Sequence, residues 1–213
     1  MKQHIEHMEN FRERLNLQKK KLIFISATLF LIILMVLGGY LYTIKQQTDA
    51  KELESEAYKY YFGIIKNVDI SKEQRYMKAA QLFMEAYNKR SNLTYLLNAG
   101  YAYDMAGQKD KALEVLNKVV ASNDINFTNL AMVRIANIYL KHNEKAEAIK
   151  KLNEIVIGKS DILKDFALYQ LGKIYENENK EESLRYYEKL VKDFPKSPFA
   201  EIAKKYVDAG KNK

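Results

Sequence analysis

Hydrophobic positions fall along this chain in three regimes. In the first, residues 22–44, "LIFISATLFLIILMVLGGYLYTI", no position carries a charge. A helix of that length is roughly 35 Å long at about 1.5 Å per residue, enough to cross a hydrocarbon core of roughly 30 Å with some tilt. In the second, Ala50, Leu53, Ala57, Tyr60 or Tyr61, and Ile64 recur at three- and four-residue steps, with no Gly or Pro from Thr43 until Gly63. That spacing predicts an amphipathic helix running on from the apolar stretch without a break. In the third, periodic apolar segments alternate with short polar turns. Met77, Ala80, Phe83, Met84 and Tyr87 mark one helix, and others are expected over 93–106, 109–121, 127–142, 144–157, 162–177 and 180–193. In "KSPFAEIAKKYVDAG" Ser197 caps a last helix, Pro198 takes its first position, where a missing N–H costs nothing, and Gly210 closes it.

The third regime repeats. "NAGYAYDMAGQKDKALEVLNKVV" and "RIANIYLKHNEKAEAIKKLNEIV" pair Gly100 with Ala136, Tyr103 with Tyr139, Ala112 with Ala148 and Leu116 with Leu152, each 36 positions on. A further unit holds Leu168, Leu171, Gly172 and Tyr175, then Ser183, Tyr187, Leu190 and Pro195 after a turn one residue shorter. A weaker unit precedes them, in which Ala79, Phe83 and Ala86 fit only a second helix. Glycine inside a helix costs about 1 kcal/mol relative to alanine, so Gly100 and Gly172 predict places where paired helices approach closely. An irregular helical bundle would show similar stripes, but nothing in it would hold a 35- to 36-residue step.

On those residues the units resemble tetratricopeptide repeats (TPR), which pair two antiparallel helices in about 34 residues with small and bulky positions at fixed offsets. Together with the apolar span, the resemblance implies an all-α fold: an N-terminal transmembrane helix followed by a TPR-like α-solenoid of antiparallel helix pairs. It divides the chain into a basic tail (1–21), the apolar span (22–44), a connecting helix with a degenerate first unit (45–91), three units with a capping helix (92–209) and a tail (210–213). It also implies a concave wall built from the first helix of each pair, carrying Leu97, Tyr101 and Asp104, then Val133, Asn137 and Leu140, then Tyr169, Lys173 and Glu176. A wall of aromatic and apolar groups with few charges suits an extended or partly unfolded polypeptide. On the plainer reading, Tyr101 and Tyr169 simply cover neighbouring helices. TPR domains that clamp a terminal carboxylate use a Lys and Asn pair, and Leu97 and Tyr101 occupy the corresponding offsets here.

Composition narrows the chemistry. Eight Gly and two Pro in 213 residues are few turn-breakers, in keeping with helix throughout. The absence of cysteine excludes disulfides, a Cys-based zinc site, a cysteine nucleophile and a lipid-modified N-terminal cysteine. His4 and His7 sit three apart in the tail with no third ligand nearby, and His142 lies in a turn. With no GxSxG, HExxH or P-loop, no catalytic, cofactor or metal site is expected. The net charge of +8 becomes +5 beyond the span, because six of the 35 Lys and Arg and three of the 27 Asp and Glu precede it. Those charges alternate in sign, as in "NENKEESLRYYEKLVKD", which marks a solvated face rather than a nucleic-acid surface.

The flanks of the span set an expected topology. Lys2, Arg12, Arg14 and Lys19 to Lys21 precede it, against Lys45, Lys51 and Lys59 after it, which leaves the N-terminus cytoplasmic and exports the rest, to the periplasm in a bacterium. A cleavable signal peptide would have a shorter apolar core and a small-x-small site that is hard to find here. Tyr40 and Tyr42 fit an interfacial belt, and the three consecutive lysines fit contact with anionic headgroups. Ile5, Met8, Phe11 and Leu15 form either a stripe lying on the membrane or part of a frayed tail. This arrangement is similar to the YfgM family of inner-membrane proteins, which associate with the SecYEG translocon and the periplasmic chaperone PpiD. The resemblance implies translocon subunits, a periplasmic chaperone or exported polypeptides as partners. The alternative is a TPR scaffold of another envelope complex, for cell division, wall synthesis or secretion.

Overall fold

The computed structural model describes the backbone of residues 2–65 and 69–211 and the side chains of residues 18–65 and 69–210. The stripe expected at Ile5, Met8, Phe11 and Leu15, and the pair His4 and His7, lie outside the described side chains. All regular structure among the described residues is helical: α1 (Lys2–Phe62), α2 (Lys72–Lys89), α3 (Leu93–Met105), α4 (Lys109–Ala121), α5 (Thr128–Lys141), α6 (Lys145–Ile157), α7 (Lys164–Tyr175), α8 (Lys180–Asp193) and α9 (Pro198–Lys211). The chain divides into two units, Met1–Asp49 and Ala50–Lys213.

The first unit is the N-terminal part of α1. Its apolar side chains stand open to the surroundings, with Phe24 74% and Met35 72% exposed. Among the described residues this is the one helix long and apolar enough to cross a membrane.

The second unit begins with the last turns of α1 and continues through α9. Several of its helices start on a side-chain cap. Ser71 and Gln74 form a reciprocal box, Gln74 N–H donating to Ser71 Oγ at 3.1 Å and Ser71 N–H to Gln74 Oε1 at 2.9 Å. Asn92 caps α3 and Asn179 caps α8 through their side-chain oxygens. The first helices of successive pairs also end alike. Gly107 and Asn143, 36 positions apart, take left-handed φ of 72° and 60°. Behind them Gln108 N–H donates to Tyr103 O at 2.9 Å and Glu144 N–H to Tyr139 O at 2.8 Å, the six-residue closure of a Schellman motif. In the third pair Asn179 N–H closes on Tyr175 O at 2.9 Å, one residue sooner, which is the shortened turn visible in the sequence.

Packing follows the same step. Two apolar clusters lie in series along the unit, one centred on Phe83, Leu96, Leu116 and Ile138, the next on Leu152, Leu168, Leu171 and Tyr187, with Tyr139 touching both. Such a stack has no single centre; each pair rests on its neighbours. Gly100 and Gly172 mark the close approaches. A Cβ on Gly100 would lie 2.6 Å from Leu116 Cγ, and one on Gly172 would run into the Tyr187 ring, 2.7 Å from Cδ1. Ser183, where the other pairs have Ala112 and Ala148, is buried and donates to Gly172 O at 2.8 Å.

Polar ties recur with the repeat. Lys109 pairs with Glu144 and Lys145 with Glu178, each joining one pair to the next. Asn129 Nδ2 donates to Ile162 O at 2.7 Å, and at the equivalent position Asp165 Oδ2 accepts from Ser197 Oγ at 2.7 Å. Both clamp the segment that leads into the next first helix. Asn129→Ala is expected to cost about 1 kcal/mol, since the carbonyl it leaves is near water. A thermal melt of the full-length protein in detergent checks this, and an unchanged midpoint would mean the clamp carries no weight.

Two expectations need correction. Gly210 does not close the last helix; α9 continues through it, and a Cβ there would come within 2.9 Å of Leu184 Cδ1, so the residue serves the approach of α9 to α8. The helix expected from residue 162 starts at Lys164, because Leu163 takes φ 60° and ψ 13°, a conformation outside the right-handed helix.

Candidate protein-binding face

The nine residues expected on the binding wall lie on α3, α5 and α7, and they meet different fates. Leu97 and Asp104 are buried, Tyr101, Val133, Asn137, Leu140, Tyr169 and Glu176 are half-buried, and Lys173 is exposed. Leu97 packs into the first apolar cluster, and Val133 and Leu140 against the second. Tyr169 stacks on Phe199 of α9, with centroids 5.3 Å apart and planes 25° apart. Glu176 accepts the hydroxyl hydrogen of Tyr187 and lies 3.7 Å from Lys173 Nζ. At α7, then, the expected wall residues are largely engaged with their own neighbours.

The α3 and α5 residues are drawn together by two side chains that sequence reasoning did not single out. Arg134 pairs with Asp104 and spreads its guanidinium over the Tyr101 ring, 4.7 Å from the centroid. Lys141 reaches the same carboxylate, Nζ to Oδ1 at 3.1 Å, and donates to the Asp104 carbonyl at 3.3 Å. Two cations thus share one carboxylate. Arg134 Nε is shielded from solvent and has no hydrogen-bond partner among the described residues. Burial pushes the Tyr101 phenol up from its ordinary pKa, and the adjacent Arg134 charge partly offsets this.

A signal for Arg134 was present in the repeat. Thirty-six positions earlier stands Asn98, and it too reaches back to the preceding unit, its Nδ2 donating to Tyr58 Oη at 2.8 Å. This position on a first helix faces the first helix before it.

Ahead of that network lies a crevice of about 200 Å³ lined by Tyr58, Tyr61, Phe62, Phe83, Asn98 and Tyr101. It is formed by the last turns of α1 with α2 and α3. Tyr58 stands edge-on to Phe83, centroids 5.1 Å apart, and stacks with Phe62 at 5.9 Å. Phe62, at the rim, is 64% exposed, and Ile64 just beyond it 68%. The Tyr61 phenol is raised by burial and drawn back by Arg134, which places it within electrostatic reach of the α5 guanidinium. Among the described residues no group of three or more His, Asp or Glu side chains is gathered closely enough to hold a metal ion.

Comparison with known proteins agrees with this geometry. The model of a tetratricopeptide repeat-like domain matches residues 19–161, and that of a tetratricopeptide repeat matches residues 166–197. No curated protein matches. Among solved structures, a tetratricopeptide repeat protein from Parabacteroides merdae superposes with a TM-score of 0.55 at 18% identity over 76% of this chain. This chain spans 59% of that protein's length. The nearly identical TPR-like repeats of Podosopora anserina give a TM-score of 0.52 at 17% identity, over 76% of this chain and 84% of theirs. At such identities the likeness is one of fold.

Proposed function

This chain belongs to the tetratricopeptide repeat-like domain family, and we propose that it is a membrane-anchored member whose repeats hold extended segments of other proteins on the exported side of a bacterial inner membrane, assisting newly exported chains at the translocon. Stacked helix pairs of this family are protein-binding modules, and that part follows from membership. One observation carries the rest: an uncharged stretch, Leu22 to Ile44, stands in the same helix whose last turns open the repeat unit. The lysine and arginine excess before that stretch supports an N-terminus on the cytoplasmic side. The half-buried Tyr101 of α3, and the aromatic crevice it lines, support a polypeptide as the ligand. The reading assigns the chain binding, not turnover.

A photo-crosslinking residue at Phe62 or Lys173, both exposed, tests the assignment in living cells. Translocon subunits and exported chains are expected among the captured proteins. Capture of wall-synthesis, division or secretion-ring components without any translocon subunit would move the protein to another envelope complex. Anchoring has its own test. Leu34→Arg puts a charge at the middle of the span, which disfavours insertion by about 2.5 to 3.5 kcal/mol. The variant is expected to leave the membrane fraction, and its undiminished retention there would remove the anchor from the account.

A further inference from the structure

Three features of the crevice at the start of the repeat unit bear on what it takes. Its walls are aromatic on every helix that forms it, with Tyr58, Tyr61 and Phe62 from α1, Phe83 from α2 and Tyr101 from α3, and its volume of about 200 Å³ is of the order of one large side chain. Its rim stays apolar and open to solvent at Phe62 and Ile64. Its surroundings are cationic. On the α5 side Arg134 lies over Tyr101, and with Lys141 it shares the single carboxylate of Asp104. On the α2 side Arg75 donates to the Tyr60 carbonyl at 3.3 Å and lies 5.6 Å from the centre of the Tyr76 ring, which stands edge-on to Tyr61 at 5.2 Å. Arg75 has no carboxylate partner among the described residues. Glu54, one turn before Tyr58, is engaged elsewhere, the Tyr95 hydroxyl facing it at 3.5 Å. Of Arg134, Lys141, Arg75 and Lys72, whose Nζ lies 5.9 Å from the centre of the same Tyr76 ring, only the first two meet a carboxylate among the described residues, and it is the same one; this leaves a positive surplus, and Arg134 keeps a desolvated Nε without a partner among those residues.

We infer that this crevice seats one aromatic side chain of an extended acidic peptide, with carboxylates on either side of that residue paired to Arg134 and Arg75. The ring enters the space between Tyr58 and Tyr101, where edge and face contacts with phenols are available and water is displaced. The flanking carboxylates meet guanidinium groups that are already held in place by ring stacking, so little side-chain freedom is lost on pairing. The inference rests on the reading of the repeats as a polypeptide-binding module and adds to it a chemistry and a place.

The test uses the full-length protein in detergent micelles and three fluorescein-labelled heptapeptides. One has phenylalanine flanked by aspartate and glutamate, one has alanine in its place, and one keeps phenylalanine between lysines. Fluorescence anisotropy is expected to show the first binding at least tenfold more tightly than either of the others, with an affinity that falls as salt rises. Phe62→Ala, at an exposed rim position, is expected to weaken it about tenfold. Arg134→Gln is expected to do the same and to flatten the salt dependence, with Arg134→Lys recovering the salt dependence but not the full affinity. Circular dichroism of each variant confirms that the helices remain. Equal binding of all three peptides, or no response to either substitution, would overturn the inference. So would a concentration-dependent dimer abolished by Phe62→Ala, which would put a second copy of the chain in the crevice. Reduced, amidomethylated ribonuclease A, an unfolded basic chain, separates the two levels. If it is captured while the three peptides bind alike, the crevice assignment fails alone; if it and the peptides are all ignored, the polypeptide-binding reading fails with it.

Discussion

Gly172→Leu is expected to destabilise the second unit by about 1 to 3 kcal/mol, the cost of forcing extra carbons into a packed interior. At roughly 2 to 4 °C per kcal/mol for a protein of this size, the melting midpoint falls by roughly 2 to 12 °C. The obstacle is the ring of Tyr187, which a Cβ at position 172 would meet at 2.7 Å from Cδ1 and 2.8 Å from Cζ. That ring cannot swing aside cheaply. It is fully buried, its hydroxyl is bonded to Glu176, and it lies against Tyr206 with centroids 4.8 Å apart. Gly100→Leu meets only the isopropyl end of Leu116, which has other rotamers to try, so its effect is expected to be the smaller of the two. Because each pair rests on its neighbours, the damage from Gly172→Leu stays local. Hydrogen exchange is expected to quicken in α7 to α9 while α3 and α4 keep their protection. Uniform loss across the unit, or none, would mean that the helix pairs do not stack as independent neighbours.

The same argument explains which features were legible in the sequence. Every helix of the second unit is foreshadowed by a three- and four-residue apolar step, because each helix must bury one stripe against its partners. The 36-residue step was visible for a stricter reason: Gly100, Ala112, Ala136 and Ala148 are all buried at helix crossings, where a larger residue has nowhere to go. Even the shortened third turn was there to be read before its hydrogen bond to Tyr175 O was known. Leu163 was not legible, since nothing in a leucine signals a left-handed backbone; Asn129, 33 positions earlier, secures the neighbouring carbonyl of Ile162. Gly210 misled because a glycine near a helix end has two uses, a cap and a close approach, and only the position of Leu184 decides between them. The crevice was the least legible feature. Tyr58, Phe83 and Tyr101 belong to three helices and face one another only once the pairs stack, so no local pattern announces them. No local pattern marks the role of Arg134 either, because the ring of Tyr101 and the carboxylate of Asp104 come beside it only in the stacked pairs.

Alkali is expected to open this unit cooperatively above about pH 10. Six tyrosines, Tyr61, Tyr95, Tyr101, Tyr103, Tyr175 and Tyr187, have phenols raised above the ordinary value, and burial is the largest cause for each. Tyr187 is raised most strongly, first by burial and then by the Glu176 carboxylate, which accepts its hydrogen and would repel a phenolate. A phenol raised in the folded state keeps its proton where the unfolded chain, near pH 10, begins to lose it. Stability from these groups is therefore complete below about pH 10 and drains away as the pH climbs toward the folded values, by at most about 1.4 kcal/mol per pH unit for each group. Slopes from several such groups add, so stability falls more steeply with pH than a single phenol would make it. Tyrosinate absorbance and loss of helical circular dichroism are then expected to rise together in a steep transition, with Tyr187→Phe lowering the proton count of that transition by about one. Tyrosinate absorbance reaching its full amplitude while helical content holds would show that water and hydroxide reach these rings in the folded protein, and the packing assigned to Tyr187 would have to be abandoned.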